Sequence, residues 1–245
     1  ALRKEIESNK HQDAIKYVPA VCKSYFLDDS FKKLQFSHAG LQKLINDYSF
    51  ETVLDVGAGA MNHSEMFAMH GKKVTAVDYG VSVYYKQHVT KEGIVINKIF
   101  GDFNTLSFDD VYDCVWASHI LEHQPNAEGF LKKLVSLVKE DGVIAITVPP
   151  LKHEIVGGHV SLWNAGLILY RLVLVGIDCS DAAILAYGYN ITVIVKKKTI
   201  DVSTLGVEFD CGDIRRIKQY LPDGLEFNSS DLDDPFNGNI FKLNW

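Results

Sequence analysis

The sequence predicts an α/β fold in which short parallel strands alternate with helices, and three observations carry that prediction. Thr52–Val56 is a short, β-branched apolar run that is typical of a buried parallel strand. A glycine-rich turn at 57–59 and a stretch of helical composition at 64–70 follow it. A second apolar strand then runs over 73–77 and ends in Asp78. Strand, turn, helix and strand in this order build a parallel sheet.

The glycine turn and Asp78 together indicate a nucleoside site. A backbone without side chains can lie close against a ligand, and the following helix N-terminus can face a polar group. Asp78 lies about 20 residues beyond the glycines, where an acidic residue accepts hydrogen bonds from ribose hydroxyls. A dinucleotide fingerprint needs Gly or Ala at position 62, which is Asn62 here. We therefore expect an adenosine-like ligand rather than a dinucleotide.

Two segments give this chain a family resemblance. Asp55-x-Gly57-x-Gly59 resembles motif I of the class I S-adenosylmethionine-dependent methyltransferases, D/E-x-G-x-G-x-G, with Met61 where a third glycine is usual. S-H-I-L-E-H at 118–123 resembles the segment that follows strand four in the same enzymes.

The resemblance covers about residues 50–197. It implies a Rossmann-like, seven-stranded and mostly parallel sheet with a terminal antiparallel hairpin and helices on both faces. It also implies S-adenosylmethionine as cofactor and an enzyme that transfers its methyl group.

The remaining elements follow from apolar periodicity and turn residues. Further strands are expected at 94–100, 113–118 and 143–148, and the hairpin at 182–187 and 190–196; further helices are expected at 81–87, 126–139, 162–175 and 214–221, with a turn at Asp141–Gly142. The chain then divides into a helical prefix or lid at 1–50, a cofactor-binding domain at 51–197 with a substrate loop at 151–180, and a tail at 198–245 that packs on the domain.

Parallel sheets bind ligands at the carboxyl ends of their strands, so the cofactor residues are expected there. The resemblance places the adenine beside a turn in which Asp102 accepts from its amine and Phe103 lies near its ring. A turn-forming role for Asp102 is the structural alternative. The expected cofactor residues are Asp55, Gly57, Ala58, Gly59, Asp78, Tyr79, Asp102, Phe103, Ser118 and His119.

Histidines are the candidate bases, because imidazole titrates near neutral pH and can take a proton from an acceptor. His119, His123, His153 and His159 lie in segments that should reach the site. His159 and His123 rank first as catalytic residues, and a hydrogen-bonded structural role is the alternative for each.

A metal site is an alternative interpretation of these residues. In a helix His119, Glu122 and His123 would share one face, and His153 or His159 could complete a divalent-metal site. The resemblance extends to methyltransferases with E-x-x-E-H that use a metal, but L-E-H also occurs in metal-free relatives. A divalent metal is therefore not favoured, and no residue is assigned to one.

Composition limits the classes of partner that the chain is expected to bind. The chain of 245 residues has a net charge of −6 and no dense basic stripe, which argues against a nucleic-acid partner. Four separated cysteines and the lack of a long apolar segment predict a cytoplasmic protein without a membrane span. The oligomeric state is not predicted.

The acceptor is expected to be a small molecule. The polar loop 151–161 with Trp163 suggests O-methylation of a sugar or polysaccharide precursor, in polysaccharide biosynthesis. The alternatives are an N-methyltransferase of another small metabolite, a catalytically silent S-adenosylmethionine-binding protein, and a nicotinamide oxidoreductase.

Overall fold

A computed structural model describes residues 26–87 and 91–245. The first half of the predicted prefix, residues 1–25, lies outside the described residues. The helices are α1 (Asp29–Lys32), α2 (His38–Asp47), α3 (Asn62–Met69), α4 (Ala127–Ser136), α5 (Ala165–Leu174) and α6 (Asp213–Ile217). The strands are β1 (Thr52–Val56), β2 (Lys73–Asp78), β3 (Asn97–Phe100), β4 (Tyr112–Ser118), β5 (Val138–Val148), β6 (Ala183–Tyr187), β7 (Asn190–Lys196) and β8 (Lys242–Leu243).

The strands form one sheet in the order β3-β2-β1-β4-β5-β7-β6-β8. The first five strands in this order, from β3 through β2, β1 and β4 to β5, pair in parallel. The strand β7 pairs antiparallel with both β5 and β6. This confirms the mostly parallel sheet and its terminal hairpin. The predicted count of seven strands is one too low, because β8 in the tail adds an antiparallel strand to β6, with Ile184 opposite Leu243.

Both faces of the sheet are covered, as predicted. Neighbouring strand residues point to opposite faces, so Leu54 joins the core under α4 and α5 while Val53 joins the core under α2 and α3. Asn126 and Asn164 cap α4 and α5, because each side chain accepts from a backbone N–H three residues later.

Local structure differs from the sequence prediction at several positions. The predicted helix over 81–87 is reduced to a 3₁₀ turn at Tyr85–Gln87. The helix predicted at 126–139 ends at Ser136, because β5 already begins at Val138. Asp141, in a left-handed conformation with φ of 61°, lies inside β5 where the register against β4 shifts, and not in a free turn.

The carboxyl ends of β1, β2, β4 and β5 lie side by side, since these strands pair in parallel register. The helix α2 lies over the same part of the sheet and is tied to it by polar contacts. The Gly40 N–H donates to the Tyr187 hydroxyl at 2.9 Å, and the Ser37 and Ser118 hydroxyls are 2.6 Å apart. Among the described residues, no helix is both long enough and apolar enough to cross a membrane.

Candidate active site

The glycine turn between β1 and α3 forms the first wall of the site. Gly57 and Gly59 have φ of 76° and 51°, which glycine adopts most readily. A methyl group on Gly57 would lie 2.5 Å from Ile120 Cδ1, so this position also needs glycine for space. Met61, at the usual place of the third motif glycine, takes a left-handed conformation with φ of 58° and is buried. The backbone thus keeps a glycine-like path although the residue is not glycine.

Asp78, at the end of β2, fastens this turn. Its Oδ2 accepts from the Gly59 N–H at 2.9 Å and its Oδ1 from the Gly80 N–H at 2.8 Å. The side chain is partly exposed. Each carboxylate oxygen can accept a second hydrogen bond, so the group fits a ribose diol while it holds the turn. Tyr79, the next residue, is exposed.

Asp55 lies beneath the turn and is buried, with its Oδ2 accepting from the Ser64 hydroxyl at 2.5 Å. The pKa of the Asp55 carboxyl is raised to about 7, mainly by burial and also by the nearby Asp78, while the hydrogen bonds from Ser64 oppose this rise. Asp55 therefore lies in the interior between β1 and α3, and its side chain supports the turn from below.

The turn after β3 contains the predicted adenine residues. Asp102 Oδ1 accepts from the Asn104 N–H at 2.9 Å, which is the turn-forming role weighed as the alternative. Asp102 also lies close to Tyr79; burial and this carboxylate raise the pKa of the Tyr79 hydroxyl. The ring of Phe103 is 5% exposed and contacts Phe130 in the core. Phe103 thus supports the turn by packing, and its ring is not free on the surface.

The segment after β4 departs from the predicted helix. His119 has φ of 52° and precedes a 3₁₀ turn at Leu121–His123, so His119, Glu122 and His123 do not share a helical face. The three side chains nevertheless come together: His119 Nδ1 lies 3.4 Å and His123 Nε2 lies 3.9 Å from Glu122 Oε1. His119 is also covered by the ring of Phe36, with ring centroids 4.7 Å apart.

His159 joins this group from the loop after β5. Its ring contacts that of His123 at a centroid distance of 4.9 Å, and one donor atom from each of Glu122, His123 and His159 lies within 4.8 Å of the other two. The loop is held here because the Val160 N–H donates to the Glu122 carbonyl at 2.9 Å and the Gly158 carbonyl contacts His123 Nδ1 at 2.8 Å. Burial lowers the pKa of His159, an effect that Glu122 partly offsets.

Two other histidines do not join the cluster. His153 is exposed on the same loop. His63 is half-buried between the Phe36 carbonyl and the Trp116 indole N–H, and its partial burial lowers its pKa to about 4. We interpret His63 as a neutral structural side chain.

A cavity of about 400 Å³ opens beside His159. Its lining is mainly apolar, and Lys152 lies over the ring of Tyr189 at 4.3 Å. Trp163 lines it but is 3% exposed, with its indole N–H donating to the Ser161 hydroxyl at 2.7 Å. The cavity lies against the histidine cluster, as an acceptor site requires.

Residues 54–146 match the family model described as a methyltransferase domain. This match and the fold agree with the predicted class I S-adenosylmethionine-dependent methyltransferase family. The matched part of this methyltransferase domain contains the glycine turn, Asp78 and the cluster residues His119 to His123, but the loop with His159 lies beyond it.

Two curated relatives are ubiquinone biosynthesis O-methyltransferases. The one from Rickettsia conorii is 30% identical over 115 residues, which are 44% of this chain and 38% of the relative. The one from Coxiella burnetii is 34% identical over 93 residues, which are 37% and 40% of the two chains. The match therefore spans well under half the length of these relatives.

A solved structure supports the fold. The 1,6-didemethyltoxoflavin-N1-methyltransferase of Burkholderia thailandensis, with bound 1,6-didemethyltoxoflavin and S-adenosylhomocysteine, aligns with a TM-score of 0.57 at 18% identity. The alignment covers 70% of this chain and 82% of that one.

Sequence reasoning missed three residues of this site, which are Phe36, Tyr189 and Asn190. Phe36 covers His119, Tyr189 lies at the cavity and Asn190 contacts His119 Nε2 at 3.0 Å. None belongs to a motif. A polar Asn190 at the first position of an apolar strand was the one signal in the sequence that pointed to a contact.

Proposed function

We propose that this chain transfers a methyl group from S-adenosylmethionine to a hydroxyl oxygen of a small molecule bound in the cavity beside His159. The observation that carries the proposal is the position of His159. It lines the cavity and contacts His123 in the segment that follows β4. His159 thus lies between the cavity that could hold an acceptor and the strand ends where the family binds its cofactor.

The residues present fit S-adenosylmethionine. Gly57 and Gly59 give close backbone approach, and the partly exposed Asp78 carboxylate can accept from a ribose diol. When bound, S-adenosylmethionine supplies a methyl group on a sulfonium that is already activated for transfer. The chain's own task is to align the acceptor and remove its proton.

His159 is our candidate for the proton acceptor, with His123 beside it. Because burial lowers the pKa of His159, the imidazole is neutral at neutral pH and can accept a proton. His159 would take the proton of the acceptor hydroxyl while the oxygen accepts the methyl group. The bound cofactor would supply that methyl group and keep the electron pair of the C–S bond on sulfur, so the positive charge would pass to the imidazole of His159.

The acceptor class is a separate proposal. The loop predicted a sugar or polysaccharide precursor, and the comparisons give that substrate no support. The cavity is lined by Pro149, Ile155, Val156 and Leu162 among others, which favours an acceptor with an apolar or aromatic face that carries the hydroxyl. The names of the curated relatives support methylation at oxygen.

The test is an acceptor screen with purified protein and S-adenosylmethionine. The panel contains hydroxylated aromatic compounds, their amino counterparts and sugars, and mass spectrometry measures S-adenosylhomocysteine and the methylated product. We expect product from hydroxylated aromatic acceptors. Product from amines alone would establish an N-methyltransferase, and product from sugars alone would restore the sugar hypothesis. Tight binding of S-adenosylhomocysteine without any turnover would establish a silent binding protein.

A further inference from the structure

Glu122 is the most unusual side chain near the site. It is fully buried, and both carboxylate oxygens lack a hydrogen-bond partner. Burying a carboxylate without a donor is costly, so such a group normally has a positive partner. Nitrogen atoms of His119 and His123 lie 3.4 and 3.9 Å from Glu122 Oε1.

The hydrogen bonds of His119 determine where its proton is. Asn190 Oδ1 accepts from the Ser37 N–H at 2.9 Å, and Asn190 Nδ2 donates to the Tyr187 carbonyl at 3.2 Å. The amide orientation is therefore fixed, and His119 Nε2, 3.0 Å from the same Oδ1, must donate. In a neutral ring, Nδ1 would then direct a lone pair at Glu122 Oε1, 3.4 Å away.

His123 repeats this arrangement. Its Nδ1 lies 2.8 Å from the Gly158 carbonyl oxygen, which can only accept, so Nδ1 carries a proton. Its Nε2, 3.9 Å from Glu122 Oε1, would have a lone pair in the neutral ring. Two imidazoles thus present their unprotonated nitrogens to one buried carboxylate. An additional proton on either nitrogen, or on the carboxylate, converts the repulsion into attraction.

We propose that Glu122 is a positioning residue whose carboxylate shares one proton with His119 and His123. This shared proton fixes the ring of His123, which His159 contacts while it acts as the base. The sharing of the proton is independent of the reaction, whereas the effect on His159 rests on the proposed function. Glu122 also holds the loop through its backbone carbonyl, and a side-chain substitution leaves that contact in place.

Groups from three other elements also surround the cluster. The loop after β5 contributes His159 and Lys152, the hairpin contributes Tyr189 and Asn190, and the segment before α2 contributes the apolar ring of Phe36. The positive charge of Lys152 lowers the pKa of His159, whereas the negative charge of Glu122 raises it.

A divalent cation would bind the same lone pairs, and it is the competing explanation. The contact closest to the carboxylate comes from His119, yet His119 is outside the group of donor atoms that lie within 4.8 Å of one another. A proton satisfies that closest pair directly, which favours the shared proton.

The experiment is a pH titration of the full chain with ¹⁵N-labelled histidine, followed by NMR, for the wild type, Glu122→Gln and Glu122→Asp. We expect an imidazolium signal from His119 or His123 in the wild type at pH 7. In Glu122→Gln this signal should disappear at a pH about one unit or more lower, the smallest effect expected when an opposite charge is removed from within about 4–6 Å. Glu122→Asp should retain it, and Glu128→Gln, on the surface of α4, should titrate like the wild type.

Two results would overturn the proposal. One is identical titration of the wild type and Glu122→Gln. The other is a neutral pair of imidazoles at pH 7 in wild-type protein, and one equivalent of a divalent metal by elemental analysis would then assign the cluster to a metal site. The wild-type spectrum at pH 7 is decisive even if Glu122→Gln does not fold. Because none of these measurements requires an acceptor, failure of the methyl-transfer hypothesis would be seen separately, in the acceptor screen.

A second measurement tests the effect on His159 once an acceptor is found. In Glu122→Gln, kcat should fall at least tenfold and its acidic limb should move to lower pH, while the affinity for S-adenosylhomocysteine stays the same. An unchanged kcat profile would confine Glu122 to a structural role and overturn this part of the proposal.

Discussion

The carboxylate of Asp78 joins the end of β2 to the glycine turn after β1, with its Oδ2 2.9 Å from the Gly59 nitrogen. The acid expected to bind the ribose is therefore also the acid that holds the cofactor turn in place. Substitution of Asp78 should therefore weaken cofactor binding and not only slow the reaction.

Replacement of Asp78 tests the position of the cofactor. Asp78→Ala should weaken binding of S-adenosylhomocysteine by about tenfold to a hundredfold, because a hydrogen bond to a charged acceptor contributes about 1.5–3 kcal/mol. Calorimetry gives the dissociation constant. Asp109→Ala, exposed before β4, is the control and should bind normally. An unchanged affinity in Asp78→Ala would mean that the ribose lies elsewhere.

Alanine substitutions at two glycines with the same φ angle distinguish the cost of backbone strain from the cost of a steric clash. Gly57 and Gly71 both have φ of 76°, but a methyl group meets Ile120 at Gly57 and nothing within 4 Å at Gly71. Gly71→Ala should cost only the left-handed conformation, about 1–2 kcal/mol in urea unfolding. Gly57→Ala should cost more and should also abolish cofactor binding. Equal losses of stability with normal binding in both would contradict the close approach at Gly57.

His159 should control turnover and not cofactor binding. His159→Ala should lower kcat by about a hundredfold to ten-thousandfold, the span of general-base catalysis, at unchanged affinity for S-adenosylhomocysteine. The rate of the wild type should fall as the imidazole is protonated, at a pH below 6.5 because burial lowers the pKa of His159. This acidic limb should be absent from the variant.

The control for His159 is His153→Ala, because His153 is exposed on the same loop. It should keep both the rate and the acidic limb. Wild-type turnover in His159→Ala would leave the loop as a cover for the acceptor and assign methyl transfer to alignment.

Asp55 should make stability fall as pH rises. Its folded-state pKa, about 7, is above its ordinary value of 3.8, so the folded state binds more protons than the unfolded state between these values. The protonated Asp55 carboxyl therefore makes its full contribution to stability below about pH 3.8. The free energy of unfolding falls by a few kcal/mol, on the order of the two pKa values' difference, as the pH rises to about 7. His63, whose pKa is lowered to about 4, acts in the opposite direction between pH 4 and 6.5.

The variant Asp55→Asn isolates the effect of Asp55, because it leaves His63 unchanged. Urea unfolding at pH 5 and pH 8 should show the variant gaining stability relative to the wild type as pH rises. A constant difference between the two proteins across this range would show that Asp55 does not titrate there.

Local sequence determined the central part of this fold. Apolar runs, glycine turns and the spacing from the glycines to Asp78 depend on neighbouring residues, and the parallel pairing of β1 to β5 and the terminal hairpin agree with the prediction. The same signals did not predict β8, because a two-residue strand in a tail has no periodicity to detect and exists only through its pairing with β6.

The candidate site divides in the same way. Motif residues placed Gly57, Gly59, Asp78 and the segment 118–123 at one edge of the sheet, since parallel strands bring their carboxyl ends together. Only the tertiary structure brought His159 to Glu122 and His123 and placed Asn190 on His119. These contacts join residues 36 to 71 positions apart, through a loop and a hairpin whose conformations are set by packing and hydrogen bonds that local sequence does not encode.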